Sequence, residues 1–153
     1  MQRSHYAKAQ AVGDASRLKV GIAISEFNDD ITGSMFEAAL ATLKEWRVPE
    51  KAITVMRAPG SFELPLASAK LIKKKVDVVI TLGCIIKGET KHDEYIANAV
   101  AHGLTQLMLT TGVPIGFGVI TPNNLAQAKA RSRGKANKGI EATIAALRMA
   151  LVN

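Results

Sequence analysis

The 153-residue chain holds a single cysteine, Cys84, so it can close no internal disulfide, and a reducing compartment, the cytoplasm, is the expected setting. No uncharged apolar run approaches the roughly 18 residues that a membrane span needs, so no membrane partner is expected. The first seventeen residues carry Arg3, Lys8 and Arg17 but no apolar stretch of the kind a secretory signal requires. Aromatic residues make up only 5%, with one tryptophan and two tyrosines, a poor supply for stacking nucleic-acid bases. No G-x-G-x-x-G fingerprint follows any strand, and the spacing from Gly83 to Gly88 is continued by Glu89 rather than the lysine of a phosphate-binding P-loop. No pair among the three histidines and the cysteine has metal-ligand spacing, so no metal is expected. Internal repeats and low-complexity tracts are missing as well.

What remains is the mix of a soluble globular protein, 48% apolar and 22% charged, in a length that suits one domain with a proper core. The net charge of +7 fits a solvated basic surface or an anionic substrate, with nucleic acid a weaker reading.

Strands and helices alternate along the chain. Residues 18–25 form a short apolar run rich in branched side chains, which reads as a strand buried on both faces. Ile31, Met35, Ala39, Leu43 and Trp46 recur at helical spacing, predicting a helix over 31–47 with Asp29, Asp30 or Thr32 near its cap. A second strand spans 52–58, followed by a helix over 61–75 with Ser61 at its N-cap and Pro65 in its first turn. The most apolar segment, 76–86, is the expected central strand. A long helix starts near Thr90, where Thr90 and Asp93 make a capping-box pattern, and a fourth strand covers 114–120. Helices over 123–131 and 137–152 complete the chain. The expected fold is therefore α/β, a three-layer α/β/α sandwich on a four-stranded parallel sheet of flavodoxin-like order 2-1-3-4. Residues 1–17 read as an N-terminal arm and 18–153 as one domain.

Ligands of open α/β sheets bind beyond the carboxyl ends of the strands, which selects loops 26–30, 58–63, 84–92 and 120–123. His92 falls in the first turn of the long helix, whose start is built to receive phosphate or carboxylate around Glu89 and Thr90. A histidine there suits proton transfer near neutral pH, although a plain surface histidine is the alternative. His102 reads as a packing residue, and His5 carries no argument. Phe27 and Asn28 after the first strand, and Ser61, Phe62 and Glu63 after the second, add an aromatic face, hydroxyl, amide and carboxylate. Cys84 reads as buried rather than reactive. Residues 129–138 hold five basic side chains and no acid, a solvated face unless an arginine there clamps a phosphate. Together these loops suit a polar heterocycle plus a small phosphate.

The segments EFND (26–29), APGSFELP (58–65), LGCIIKGETKHDEYI (82–96), VPIGFGVIT (113–121) and NKGIEA (137–142) resemble, in order and spacing, the 6,7-dimethyl-8-ribityllumazine synthases. The resemblance implies condensation of 5-amino-6-(D-ribitylamino)uracil with 3,4-dihydroxy-2-butanone 4-phosphate, without metal or organic cofactor, in riboflavin biosynthesis. It implies that Phe27 stacks on the pyrimidine, that Ser61, Phe62 and Glu63 line the ribityl site, and that backbone of Cys84, Ile85 and Ile86 contacts the pyrimidine. Glu89, Thr90 and Arg131 would hold the phosphate ketone, with Lys138 adding charge, Phe117 making another pyrimidine contact and His92 transferring protons. It further implies a homopentamer with sites between neighbouring subunits, an icosahedral shell of twelve pentamers as a further form, and riboflavin synthase as a candidate partner. Three features depart from the family pattern. Asp93 follows His92 in place of an aromatic, Ala130 precedes Arg131 in place of glutamate, and the 131–137 link is one residue shorter, which leaves Arg133 as a competitor for the phosphate. The alternative function is a catalytically impaired homologue that binds flavin or lumazine or forms a shell.

Overall fold

Strands with no polar face have to be covered on both sides, and this requirement organises the molecule. The computed structural model describes residues 11–152. Four strands, β1 (Val20–Ser25), β2 (Ile53–Ala58), β3 (Val78–Cys84) and β4 (Ile115–Ile120), alternate with the helices α1 (Asp29–Glu45), α2 (Leu64–Lys73), α3 (His92–Thr111), α4 (Leu125–Arg131) and α5 (Lys138–Ala150). All strand pairs are parallel and the order is β2-β1-β3-β4, with Ile22 paired to Val55 on one side and Ile80 on the other. Every residue of β1 and β3 is buried, as expected of central strands.

Within those apolar strands the pleat still sorts side chains by period two. Ile22, Ile24, Ile80 and Leu82 face α1 and α5, joining Ile31, Met35, Leu43, Ala146 and Leu147 in one core. Ala23, Val79 and Val119 face α2 and α3, joining Leu64, Leu71, Val100 and Leu104 in the other. This is the three-layer sandwich, with the expected strand order.

Several boundaries differ from the sequence expectations for physical reasons. Helix α1 begins at Asp29 and ends at Glu45, and none of Asp29, Asp30 or Thr32 caps it. Its N-cap is Asn28, held at a left-handed φ of 61°. Thr32 is instead buried, and its hydroxyl donates to the Ser25 carbonyl at 2.8 Å, tying the helix to the end of β1. The helix stops ahead of Pro49 because Arg47 turns left-handed and Val48 N–H reaches back to the Leu43 carbonyl at 2.9 Å.

The helix expected over 61–75 is split. Ser61–Glu63 forms a 3-10 turn in which the Glu63 carboxylate accepts from Gly60 N–H at 3.1 Å, and the α-helix proper starts at Leu64. Strand β3 stops at Cys84 rather than 86, and α3 starts at His92 rather than near Thr90. Thr90 and Asp93 do not close a reciprocal box: the Thr90 hydroxyl accepts from His92 N–H and Asp93 accepts from Gly88 N–H, both at 3.3 Å. Asn124 and Asn137 cap α4 and α5, whose first residues, Leu125 and Lys138, lie two residues and one residue inside the expected starts.

Of the arm, residues 1–10 lie outside the described residues, His5 among them. Residues 11–17 lie outside the sheet, and Ala15 is buried, with its N–H donating to the Trp46 carbonyl at 2.8 Å.

Candidate active site

The carboxyl ends of β1, β2 and β3 open onto one cleft of about 850 Å³. It lies at the topological switch point, where the chain leaves β1 toward one face of the sheet and β3 toward the other. Backbone bonds hold its mouth together. Glu26 and Phe27 N–H groups donate to the carbonyls of Ala58 and Pro59 at 2.8 and 3.1 Å, fixing the loop after β1 against the end of β2. Asn28 donates its side-chain amide to the Cys84 carbonyl at 3.0 Å, which fixes the same loop against β3.

Phe27 is consequently a ring in the open, 70% exposed on the cleft wall. The 3-10 turn after β2 supplies Ser61, Phe62 and Glu63; the end of β3 supplies Cys84, Ile85 and Ile86; and the approach to α3 supplies Thr90 and His92. His92 is the first residue of α3, exposed, and on the wall of this cleft. The positive end of that helix dipole therefore points into the same space.

Cys84 forms part of the floor and is 2% exposed. Burial, with a smaller contribution from the Asp30 charge, pushes its thiol up to about 11. The sulfur therefore stays protonated at neutral pH and is no nucleophile, in line with the expectation from sequence.

A second, smaller depression of about 370 Å³ gathers Phe117, Arg131, Lys138 and Glu141 with Val119, Ile120 and Thr121. Phe117 projects from the edge strand β4 and is 52% exposed. Lys138 is ion-paired with Glu141 one turn further along α5, so the depression holds two cations and one carboxylate. Arg131 lines it, whereas Arg133 stands exposed outside it. Where a neighbouring glutamate is lacking, the Gln127 carbonyl accepts from the Arg131 guanidinium at 3.5 Å.

The expected site residues thus divide. Phe27, Ser61, Phe62, Glu63, Cys84, Ile85, Ile86, Thr90 and His92 share the large cleft. Phe117, Arg131 and Lys138 share the small one, and Glu89 lines neither. Asn28, also a candidate from the sequence, lines the first; the structure adds Gly60, Gly88, Asp93, Tyr95, Ile96 and Ala99 to it, and Glu141 to the second. Tyr95, Ile96 and Ala99 follow His92 at three, four and seven residues, the spacing of one helix face. That spacing was a readable signal. Glu141 lies in the NKGIEA segment, one turn after Lys138, but carried no role of its own in the sequence.

The model of the 6,7-dimethyl-8-ribityllumazine synthase family matches residues 17–153. Among curated proteins, the 6,7-dimethyl-8-ribityllumazine synthase of Phocaeicola vulgatus is 41% identical over 91% of this chain and 84% of its own length. The synthase of the same name from Porphyromonas gingivalis is 44% identical over 87% of this chain and 84% of its length. That of Parabacteroides distasonis is 39% identical over 91% of this chain and 88% of its length.

Proposed function

This chain belongs to the 6,7-dimethyl-8-ribityllumazine synthase family, and from that premise we propose how its own residues divide the work. The protein is a transferase that condenses 5-amino-6-(D-ribitylamino)uracil with 3,4-dihydroxy-2-butanone 4-phosphate to give 6,7-dimethyl-8-ribityllumazine, phosphate and water. The alternative of a homologue that has lost the reaction is not favoured.

In this reading Phe27 stacks on the pyrimidine, Ser61, Phe62 and Glu63 take the ribityl chain, and the backbone of Cys84, Ile85 and Ile86 meets the pyrimidine edge. Support comes from the size of the cleft and from an aromatic ring exposed on its wall. Thr90 and Glu89, at the start of α3, and Arg131 with Lys138 hold the phosphate, with Phe117 as a further pyrimidine contact. The helix start and the paired cations support that half.

The steps then follow from the chemistry of the reagents. The free amine of the pyrimidine adds to the ketone carbonyl and water leaves, giving an imine. Removal of a proton beside the imine lets the phosphate depart with its electron pair, and the ribityl-bearing nitrogen closes the ring with loss of a second water. Each of these steps moves a proton near neutral pH, and His92 is the group we assign to that transfer. Fixed cations and oriented N–H groups favour phosphate departure. Holding both reagents together supplies much of the remainder.

The reading includes assembly. His92 and Arg131 line different depressions of one chain, so a neighbouring copy would bring the phosphate half of one protomer to the cleft of another. A homopentamer is the arrangement we propose. Helix α3 supports it: of twenty residues only Val100 and Leu104 are buried, and Tyr95 and Leu109 stand exposed. Residues 18–153 act as one domain with 1–17 as its arm. Among the described residues no helix is long and apolar enough to cross a membrane, and a cytoplasmic enzyme is the proposed setting.

The observation that carries the assignment is His92 in the first turn of α3, on the wall of the cleft that Phe27 overlooks. The test mixes the two substrates and follows the fluorescence of the lumazine product. His92→Ala should lower turnover about 10²-fold with substrate affinities little changed. Turnover equal to that of the unaltered enzyme would remove His92 from proton transfer.

A further inference from the structure

The six residues between Arg131 and Lys138 join two helices and separate the two cations of the small depression. Three of them, Arg133, Lys135 and Ala136, are exposed, as is Gly134, which takes a positive φ of 58°. A link of that composition has little apolar surface to hold its shape. Its ends, however, are buried: Ser132 is fully buried and Asn137 is 3% exposed.

Asn137 uses both ends of its amide there. Its nitrogen donates to the Ser132 carbonyl at 2.6 Å and to the Ser34 carbonyl at 3.2 Å, and its oxygen accepts from Gly139 N–H at 2.8 Å. The Ser132 carbonyl takes a second donor, the hydroxyl of Ser34, at 2.6 Å. One side chain therefore joins the residue after Arg131, the middle of the first turns of α1, and the N-terminus of α5 that carries Lys138. Gly139 reinforces the joint, since a Cβ on it would overlap the Met35 carbonyl. The result is a closed ring of hydrogen bonds whose two exits are the residues that line the small depression.

We propose that Asn137 is a positioning residue for the phosphate-bearing substrate, setting the separation of Arg131 and Lys138 through Ser132 and Ser34. It touches no substrate; it acts through the geometry of the two cations. The proposal rests on the reading of that depression as the phosphate half of the site. A buried amide is needed here because two carbonyls and one N–H must be satisfied at once, and asparagine alone among short side chains offers both donors and an acceptor. The same ring explains how a shortened link still presents Arg131: the anchor is the amide, not the length of chain.

The test uses the full-length protein with both substrates. Asn137→Ser keeps an oxygen able to cap α5 and removes the two amide donors, without adding charge beside the phosphate. Ser34→Ala, in α1, removes only the second donor to Ser132. Asn137→Ser should raise KM for 3,4-dihydroxy-2-butanone 4-phosphate about tenfold and leave KM for the ribitylaminouracil within about twofold. Ser34→Ala should move the same constant in the same direction by about threefold. It also carries the test if Asn137→Ser does not fold. An equal rise in both constants, or no rise in either, overturns the proposal. Arg131→Ala, measured alongside, separates the two levels: if it fails to select the phosphate substrate, the reading of the depression falls, whereas selectivity there with none in the Asn137 and Ser34 variants removes only the positioning role.

Discussion

Cys84 offers a test of the fold and the cleft floor together. The thiol is 2% exposed at the end of β3 and its deprotonation is pushed from 9.0 to about 11, chiefly by burial and then by the charge on Asp30. The folded chain therefore holds this proton more tightly than the unfolded chain. The stability linked to it is complete below pH 9 and is lost as pH rises toward 11. Two units of displacement correspond to at most about 2.7 kcal/mol. Other groups titrate in this alkaline range, so the quantity to measure is a difference. Denaturant unfolding of the protein and of Cys84→Ala would be followed at several values from about pH 8 to about pH 11. The cavity left by alanine costs a fixed amount at every pH. The stability advantage of the unaltered protein over the variant should thus shrink by about 2–3 kcal/mol across the window. A constant advantage would mean the thiol ionises as freely folded as unfolded, and that the floor of the cleft is wet. Thiol reagents should agree, reacting slowly with the folded protein at neutral pH.

Other outcomes follow from single contacts. Arg131→Ala should raise KM for the phosphate substrate by about 10- to 100-fold with the pyrimidine constant nearly unchanged, while Arg133→Ala, outside the depression, should change neither; steady-state kinetics with each substrate varied in turn decides. Phe27→Ala should weaken the pyrimidine substrate by about 1–3 kcal/mol of lost stacking, read as KM or by calorimetric titration, and Phe27→Trp should restore it. Gly139→Ala should destabilise the protein by about 2–4 kcal/mol, because the new methyl overlaps the Met35 carbonyl where α5 crosses α1; thermal unfolding unchanged by the substitution would contradict that packing.

The layers of this fold were legible because burial leaves a periodic trace. Ile31, Met35, Ala39 and Leu43 repeat at helical spacing, and the largely apolar runs 18–25 and 76–86 announce strands covered on both sides. The ends of elements were less legible, since they are decided by which of several nearby partners a polar group takes once the chain is packed. Thr32 looks like a cap, yet its hydroxyl is drawn to the Ser25 carbonyl once α1 packs on β1, and the left-handed Asn28 takes the cap position. Thr90 and Asp93 have the right spacing for a reciprocal cap, but Asp93 is claimed by Gly88 N–H, so α3 starts two residues later. In the first case the partner is the end of the preceding strand, and in the second it is another local donor, five residues back.

The site was legible to the extent that it follows strand ends, and not where it depends on which surfaces face each other. The rule that ligands sit beyond the carboxyl ends of parallel strands gathers Phe27, Ser61, Cys84 and His92 into one cleft before any contact is known. No such rule places Arg131 or Lys138, which come from a loop between helices and line a depression of their own. They line that depression beside the edge strand β4 with Phe117, whereas His92 lines the cleft with Phe27. In the proposed assembly, the edge of one molecule meets the cleft of another, so that groups from both serve one reaction. Catalysis would then depend on protein concentration wherever assembly is incomplete, and a variant that holds the chain as a monomer should lose turnover while keeping Phe27, His92 and the cleft intact.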